Sequence, residues 1–311
     1  MARQRVASSS LIVREDSGRD SRIGHRAAAL FREHRLPGIG RRCDVDELCR
    51  AEKLEVLESR IADPGYTACL FCDVTGMGGA IFLSPKQDGG RRRFSLAHEI
   101  GHYHIPTHRR LRRQGASCGE SAMCAGAADA AHLEWEANDF ASELLMPTRL
   151  FQSDAARRDY SVATARELAS EMYFDVSVTA AAWRMTQLST EPCAIVMSFD
   201  GKVHWARRSE TMRIPGLRRG KSIRTGTVAG ACFSGGAGEM QPHEVEVDAW
   251  LDPRYPVHGR LLESTHVIGT TGHVLSMLWL AGTAQGHESR RQRSKRLEGR
   301  TTRSTPLAAG R

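Results

Sequence analysis

No part of this sequence is apolar for long. The longest mostly apolar run, Val274 to Ala284, falls well short of the ~20 residues that a bilayer-crossing helix needs. Near the start, Leu11-Ile12-Val13 is the one apolar patch beside Arg3 and Arg5, too short for the core of a secretory signal. Cysteine is sparse: eight residues (43, 49, 69, 72, 118, 124, 193 and 232) are spread over 311. That usage fits a reducing compartment, not a disulfide-stapled secreted domain. Together these absences point to a cytoplasmic protein with no membrane partner. An internal repeat is missing too. Cys69-Leu-Phe-Cys72 lacks a second CxxC and lies in a strand-like run, Thr67–Asp73; buried thiols are a better reading there than a metal site. Cys118 and Cys124 flank a small-residue loop, where a redox pair is the sharper reading and plain thiols the blander one.

The net charge of +8 suggests nucleic acid until it is located. From Gly286 to Arg311 there are eight basic residues against Glu288 and Glu298, so this tail supplies +6 of the +8. It has almost no aromatic or branched apolar side chain, and disorder is expected there. At most it implies weak, non-specific attraction to phosphates.

Between the ends, 41% hydrophobic residues can fill two or three small cores. Residues 1–21 lack periodicity and read as unstructured. A helix is expected over Arg22–Arg35, and Asp44-Val-Asp-Glu47 has the capping-box spacing that opens a second one through Lys53. Strands follow at Leu54–Ser59, Thr67–Asp73 and Ala80–Ser84. Next come a helix from Arg91 to about Ile105, ended near Pro106, and a polar loop from Thr107 to Ala130. An amphipathic helix at Ala131–Met146 carries Leu133, Ala137, Phe140, Ala141 and Leu144 on one face. Pro147 ends it and can open another helix at N1. Short helical patterns at Val162–Met172 and Val178–Leu188, the latter capped by Ser177, precede a change to strands. There Cys193–Phe199 and Lys202–Arg207 are joined by Asp200-Gly201, a hairpin signal.

His98-Glu99-Ile100-Gly101-His102 carries the chemistry. Residues four apart on a helix share a face one turn apart, so both imidazoles can reach one Zn²⁺. Glu99, rotated by ~100°, can act as a base toward water at the open coordination position. The competing reading is a chance match on a solvated helix. Phe94, Ala97 and Ile100 oppose it, because they make the helix core-packed. Gly101, costly in a helix interior by ~1 kcal/mol, suggests that another group approaches the backbone there.

A third ligand is needed, and three residues compete for the place. His108 stands at the metzincin spacing, but Ile105-Pro106 replaces the glycine that turns the chain in that motif; His104 and His108 read better as polar residues at a helix end. On the amphipathic helix Glu134 borders the apolar face, whereas Glu136 shares a polar stripe with His132, Asp139 and Glu143. A carboxylate at a core border must be paired or hold a cation. Glu134 is therefore preferred, with Glu136 and His108 left open. Asn138, one turn beyond Glu134, is placed to brace a ligand from outside the metal shell.

Arg93-Phe-Ser-Leu-Ala-His-Glu-Ile-Gly-His-Tyr103 together with Glu134-Trp-Glu-Ala-Asn-Asp-Phe-Ala-Ser-Glu-Leu-Leu-Met-Pro147 resembles the ImmA/IrrE metallo-endopeptidases over about Arg41–Phe151. The family's E-x-x-A-[DN] motif falls on Glu134, Ala137 and Asn138. The resemblance implies an α+β fold: a zincin-like peptidase domain over residues 22–155, with a small mixed sheet packed on the HExxH helix. Some members continue with a helix-turn-helix-like piece and a GAF-like domain. Residues 156–190, for which packing struts are the blander reading, and a smaller α/β domain at 191–283 are the corresponding stretches, followed by the basic tail 284–311. The helix-turn-helix domain that members often carry at the N-terminus has no counterpart in the short Arg- and Ser-rich start. The implied activity is zinc-dependent cleavage of a helix-turn-helix transcriptional repressor under stress, with Glu99 as base and His98, His102 and Glu134 as ligands. Two alternatives stand beside it: a DNA-binding regulator with a structural zinc, and a metzincin-type peptidase using His108. The oxyanion donor is open among Tyr103, Tyr160 and His204.

Deleting residues 286–311 is expected to leave hydrolysis intact and to weaken non-specific DNA retention, which should itself fall steeply with salt. Filter binding across a salt series checks this; salt-independent binding by the truncated chain would place recognition in the folded part.

Overall fold

The computed structural model describes residues 21–35, 42–58, 67–73, 75–85, 87, 89–112, 128–156, 158–255 and 257–282. The expectations for residues 1–20, for the Cys118–Cys124 loop and for the basic tail lie outside them. The chain divides into two units, Met1–Ser189 and Thr190–Arg311. Among the described residues no helix is long and apolar enough to cross a membrane.

In the first unit, α1 (Ser21–His34) and α2 (Val45–Ala51) precede three strands, β1 (Leu54–Glu58), β2 (Ala68–Cys72) and β3 (Gly79–Leu83). Asp44 caps α2, its carboxylate accepting from the Glu47 N–H at 2.9 Å, which is half of the capping box. The strands form a mixed sheet in the order β1-β3-β2, parallel between β1 and β3 and antiparallel between β2 and β3. Cys69 is buried and Cys72 half-buried. At an odd spacing on β2 they point to opposite faces, so they cannot chelate one ion together.

The sheet supports α3 (Gly89–His104), whose residues Ser95 through Tyr103 are all buried. A helix apolar on one face only would not be, so α3 is packed from every side. Its first turns are tied down by Arg93, which donates to the carbonyls of Asp175 (3.0 Å) and Cys43 (3.2 Å). The polar loop expected from Thr107 to Ala130 is corrected at both ends. Pro106 opens a short helix, α4 (Pro106–Arg112), and α5 begins at Ala128 and runs to Leu145. Proline's fixed φ and missing N–H suit a first helical turn, so Pro106 starts a helix as well as ending one.

Ala137, Phe140, Ala141 and Leu144 of α5 are buried as their spacing predicts, while Leu133 is half-buried. Pro147 is the N-cap of α6 (Thr148–Ala155), not its first residue, and Glu143 takes up the Thr148 N–H at 3.0 Å. Helices α7 (Val162–Ala169) and α8 (Val178–Leu188) are capped by Ser161 and Ser177. Arg184 of α8, 3% exposed, bonds Glu143, the Met146 carbonyl (3.1 Å) and Thr148 (2.9 Å). One face of α8 is thus spent on packing against the α5–α6 junction.

The second unit is a five-stranded sheet in the order β5-β4-β8-β7-β6, with β4 (Cys193–Phe199), β5 (Lys202–Arg208), β6 (His243–Val245), β7 (Arg260–Ile268) and β8 (His273–Ala281). Every pairing is antiparallel, and among the described residues its helices, α9 (Val228–Phe233) and α10 (Val247–Trp250), are short. It is an antiparallel sheet with helical connections, not the α/β layering expected, because parallel strands would need long crossover helices. Asp200 (φ 48°) and Gly201 (φ 66°) make the β4–β5 turn, the left-handed pair a two-residue hairpin requires. Glu263, fully buried, accepts from the N–H groups of Val228 (3.0 Å) and Ala229 (2.8 Å), the Trp250 indole (2.9 Å) and the Thr265 hydroxyl (2.9 Å). One carboxylate thus satisfies the start of α9 and orients Trp250.

Gly101 marks the closest approach of α3 and α5. A Cβ there would stand 3.1 Å from Phe140 Cδ1 and 3.3 Å from the Ala137 carbonyl, and Phe140 is 1% exposed with no room to yield. Overpacking costs ~1–3 kcal/mol, more than the ~1 kcal/mol that alanine gains over glycine in a helix. Gly101→Ala is accordingly expected to lower stability by about 1 kcal/mol, read as a fall in the urea midpoint; a rise would show that α5 can shift.

Candidate metal centre

Two helix faces, each with residues spaced by one turn, meet at the site. From α3 come His98 and His102; from α5 come Glu134 and Asn138. All three titratable groups are nearly closed to solvent: His98 is 8%, His102 1% and Glu134 8% exposed.

His98 Nε2 lies 3.1 Å from His102 Nε2 and 3.1 Å from Glu134 Oε2, and His102 Nε2 lies 3.5 Å from Glu134 Oε1. Among the described residues these three are the one group of His, Cys, Asp or Glu side chains whose donor atoms, within 4.8 Å of one another, could hold a single ion. Ligands at ~2.0–2.2 Å from a tetrahedral zinc stand about 3.3–3.5 Å apart. The observed spacing fits, and so does the donor chemistry, two imidazoles and a carboxylate.

The far side of each imidazole is also engaged. His98 Nδ1 meets Asn138 Oδ1 at 3.0 Å. An amide oxygen only accepts, so His98 carries its proton on Nδ1 and leaves the Nε2 lone pair facing Glu134 and His102. A Glu134 carboxylate oxygen stands within reach of each Nε2 atom.

Of the other candidates, the structure brings neither His108 nor Glu136 into the cluster. His108, read from sequence as a polar residue at a helix end, is 1% exposed on α4 and contacts His102 from the opposite side, Nδ1 to Nδ1 at 3.0 Å. Its Nε2 meets Glu136 Oε2 at 2.9 Å. The stripe that holds Glu136 is thus not wholly solvated. His104 stacks on Phe140, and burial first, then Arg26 and Arg109, push it down to about 3; it is a neutral packing ring.

Glu99 is fully buried beside His98 on α3. The Tyr103 hydroxyl reaches the Gly76 carbonyl at 3.5 Å. Arg109 of α4 donates to the carbonyls of Tyr103 (2.7 Å) and Gly76 (3.1 Å), tying the end of α3 to the loop between β2 and β3. Tyr160 is bonded to Thr186, and His204 belongs to β5 of the second unit. Sequence reasoning missed the engagement of His108 with Glu136. The signal that could have found it was Pro106 as a helix start.

Comparison with known proteins adds a family. The model described as Peptidase_M78, IrrE N-terminal-like domain, matches residues 54–186, a range that includes α3, α4 and α5. No curated protein matches. Among solved structures, a Mycobacterium tuberculosis transcriptional regulator is similar at 12% identity and a TM-score of 0.48, over 86% of this chain and 78% of that one; at those values the likeness carries no argument.

Removing a donor should cost more metal than removing an outer residue. Glu134→Ala is expected to lose most of its zinc after dialysis, and Glu136→Ala and His108→Ala to keep more of theirs. Metal analysis of the three purified variants decides it, and normal zinc in Glu134→Ala rejects the assignment.

Proposed function

We propose that this chain, whose residues 54–186 form a domain of the Peptidase_M78 (IrrE N-terminal-like) family, is a zinc-dependent endopeptidase. The observation that carries this reading is the convergence of His98 Nε2, His102 Nε2 and a Glu134 oxygen at 3.1–3.5 Å. A tetrahedral zinc held by two histidines and one glutamate would keep a fourth position open, as catalytic zinc sites do and structural ones do not. When bound, zinc supplies Lewis acidity, polarising a carbonyl and acidifying water.

The remaining work falls to the chain. Glu99 takes the proton from the attacking water and passes it to the leaving amine, which breaks the C–N bond of the substrate. Glu99 is fully buried and adjoins His98 on α3. Glu134 would supply the third donor atom, a carboxylate oxygen. Asn138 orients His98 through its 3.0 Å contact.

The substrate we propose is a helix-turn-helix transcriptional repressor, cleaved in a stress response. This rests on the resemblance of the two motif blocks to the ImmA/IrrE peptidases. We place the reaction in the cytoplasm, which suits the unbridged buried thiols Cys43 and Cys49, both pushed up to about 12, chiefly by burial.

Glu99→Gln should retain zinc, since Glu99 is no ligand, and lose ~10²–10⁴-fold in hydrolysis. The variant then becomes a trap. Mass spectrometry of proteins captured on it in cells is expected to return a repressor that wild-type enzyme cuts once or a few times, while casein stays intact. Glu99→Gln cutting at the wild-type rate would reject the mechanism; broad casein digestion with every repressor spared would reject the substrate.

A further inference from the structure

His102 Nδ1 faces a second buried ring. His108 is fully buried in its side chain, its Nδ1 is 3.0 Å from His102 Nδ1, and its Nε2 is 2.9 Å from Glu136 Oε2. Two nitrogens facing each other at that distance must share one hydrogen, and which ring carries it decides what His102 can do. If the proton sits on His108 Nδ1, neutral His102 is protonated on Nε2, and that N–H points at His98 and Glu134 where a lone pair is needed.

Glu136 resolves the choice. A carboxylate oxygen accepts at 2.9 Å, so His108 donates from Nε2. With that proton on Nε2, His108 offers its Nδ1 lone pair, and His102 donates from Nδ1. The Nε2 of His102 is left as an acceptor, turned toward His98 Nε2 and Glu134. Each link follows from the one before it, starting at the 2.9 Å contact between Glu136 and His108. Asn138 sets the same tautomer on His98 directly. On His102 the job takes two residues from two helices, α4 and α5.

We infer that His108 and Glu136 are positioning residues which lock His102 in the Nδ1–H tautomer and so present its Nε2 lone pair to the metal. This rests on the metal-centre reading above. Partners outside the ligand shell typically tune metal affinity by ~10–100-fold, against near-complete loss when a ligand is removed.

Zinc affinity of the full chain, measured by competition with a chelator at fixed pH, tests it. His108→Phe keeps a ring but cannot accept a proton, and is expected to bind zinc ~10–100-fold more weakly. His108→Asn, whose side-chain carbonyl can accept from His102 Nδ1, should recover most of that loss, which a merely space-filling role would not predict. Wild-type affinity in His108→Phe alongside metal loss in Glu134→Ala overturns the lock and leaves the centre standing. Wild-type affinity in Glu134→Ala overturns the centre itself. Should the His108 variants fail to fold, imidazole ¹H–¹⁵N spectra of the zinc-loaded wild type decide: His108 protonated on Nε2 with its Nδ1 accepting from His102 is expected, and His108 protonated on Nδ1 refutes the proposal.

Discussion

The close approach of α3 to α5 at Gly101 is the constraint on which the site depends. With no side chain at Gly101, the Ala137 carbonyl and Phe140 sit where a Cβ would crowd them at 3.1–3.3 Å. Only at that separation can two rows of side chains, His98 and His102 on one helix and Glu134 and Asn138 on the other, interlock at hydrogen-bond distance. The cost of glycine inside a helix is met by packing, since α3 is buried on all sides from Ser95 to Tyr103. A helix held that firmly has little freedom to turn its imidazoles away, and a preorganised donor set is what tight metal binding needs.

Burying so many polar groups is tolerable because the chain gives them partners. Glu143 and Arg184 pair at the α5–α6 junction with Thr148 and the Met146 carbonyl around them. His98 has Asn138; His102 has His108; His108 has Glu136. Leaving any of these unmade would cost ~1–3 kcal/mol each, so the polar network narrows the ways in which the helices can pack. The same logic organises the second unit around Glu263, whose carboxylate gathers four donors beneath its sheet.

The loops contribute through α4. Arg109 clasps the carbonyls of Tyr103 and Gly76, while His108, one residue earlier, turns inward to His102. One turn of helix therefore both anchors the end of α3 and sets a second ring against His102.

Much of this was legible in the residues themselves. HExxH spacing puts two imidazoles on one helical face in any context, because 3.6 residues per turn is a property of the backbone. The apolar stripe of α5 pointed to Glu134 over Glu136 for a similar reason: a carboxylate at a core border needs a partner. The caps Asp44 and Ser177 and the Asp200-Gly201 turn act over a few neighbours, and most of the boundaries expected up to Arg207 followed within a residue or two. Tertiary structure decided what depends on chain segments meeting. That includes the antiparallel order of the second sheet, the burial of α3 on every side, and the helix that Pro106 begins. It also decided the fate of His108. Its spacing from His102 made it a rival ligand, but the direction from which it meets the His102 ring is set by the packing of α4 against α3 and α5. No local periodicity encodes that contact, because its free energy comes from residues far apart in the chain.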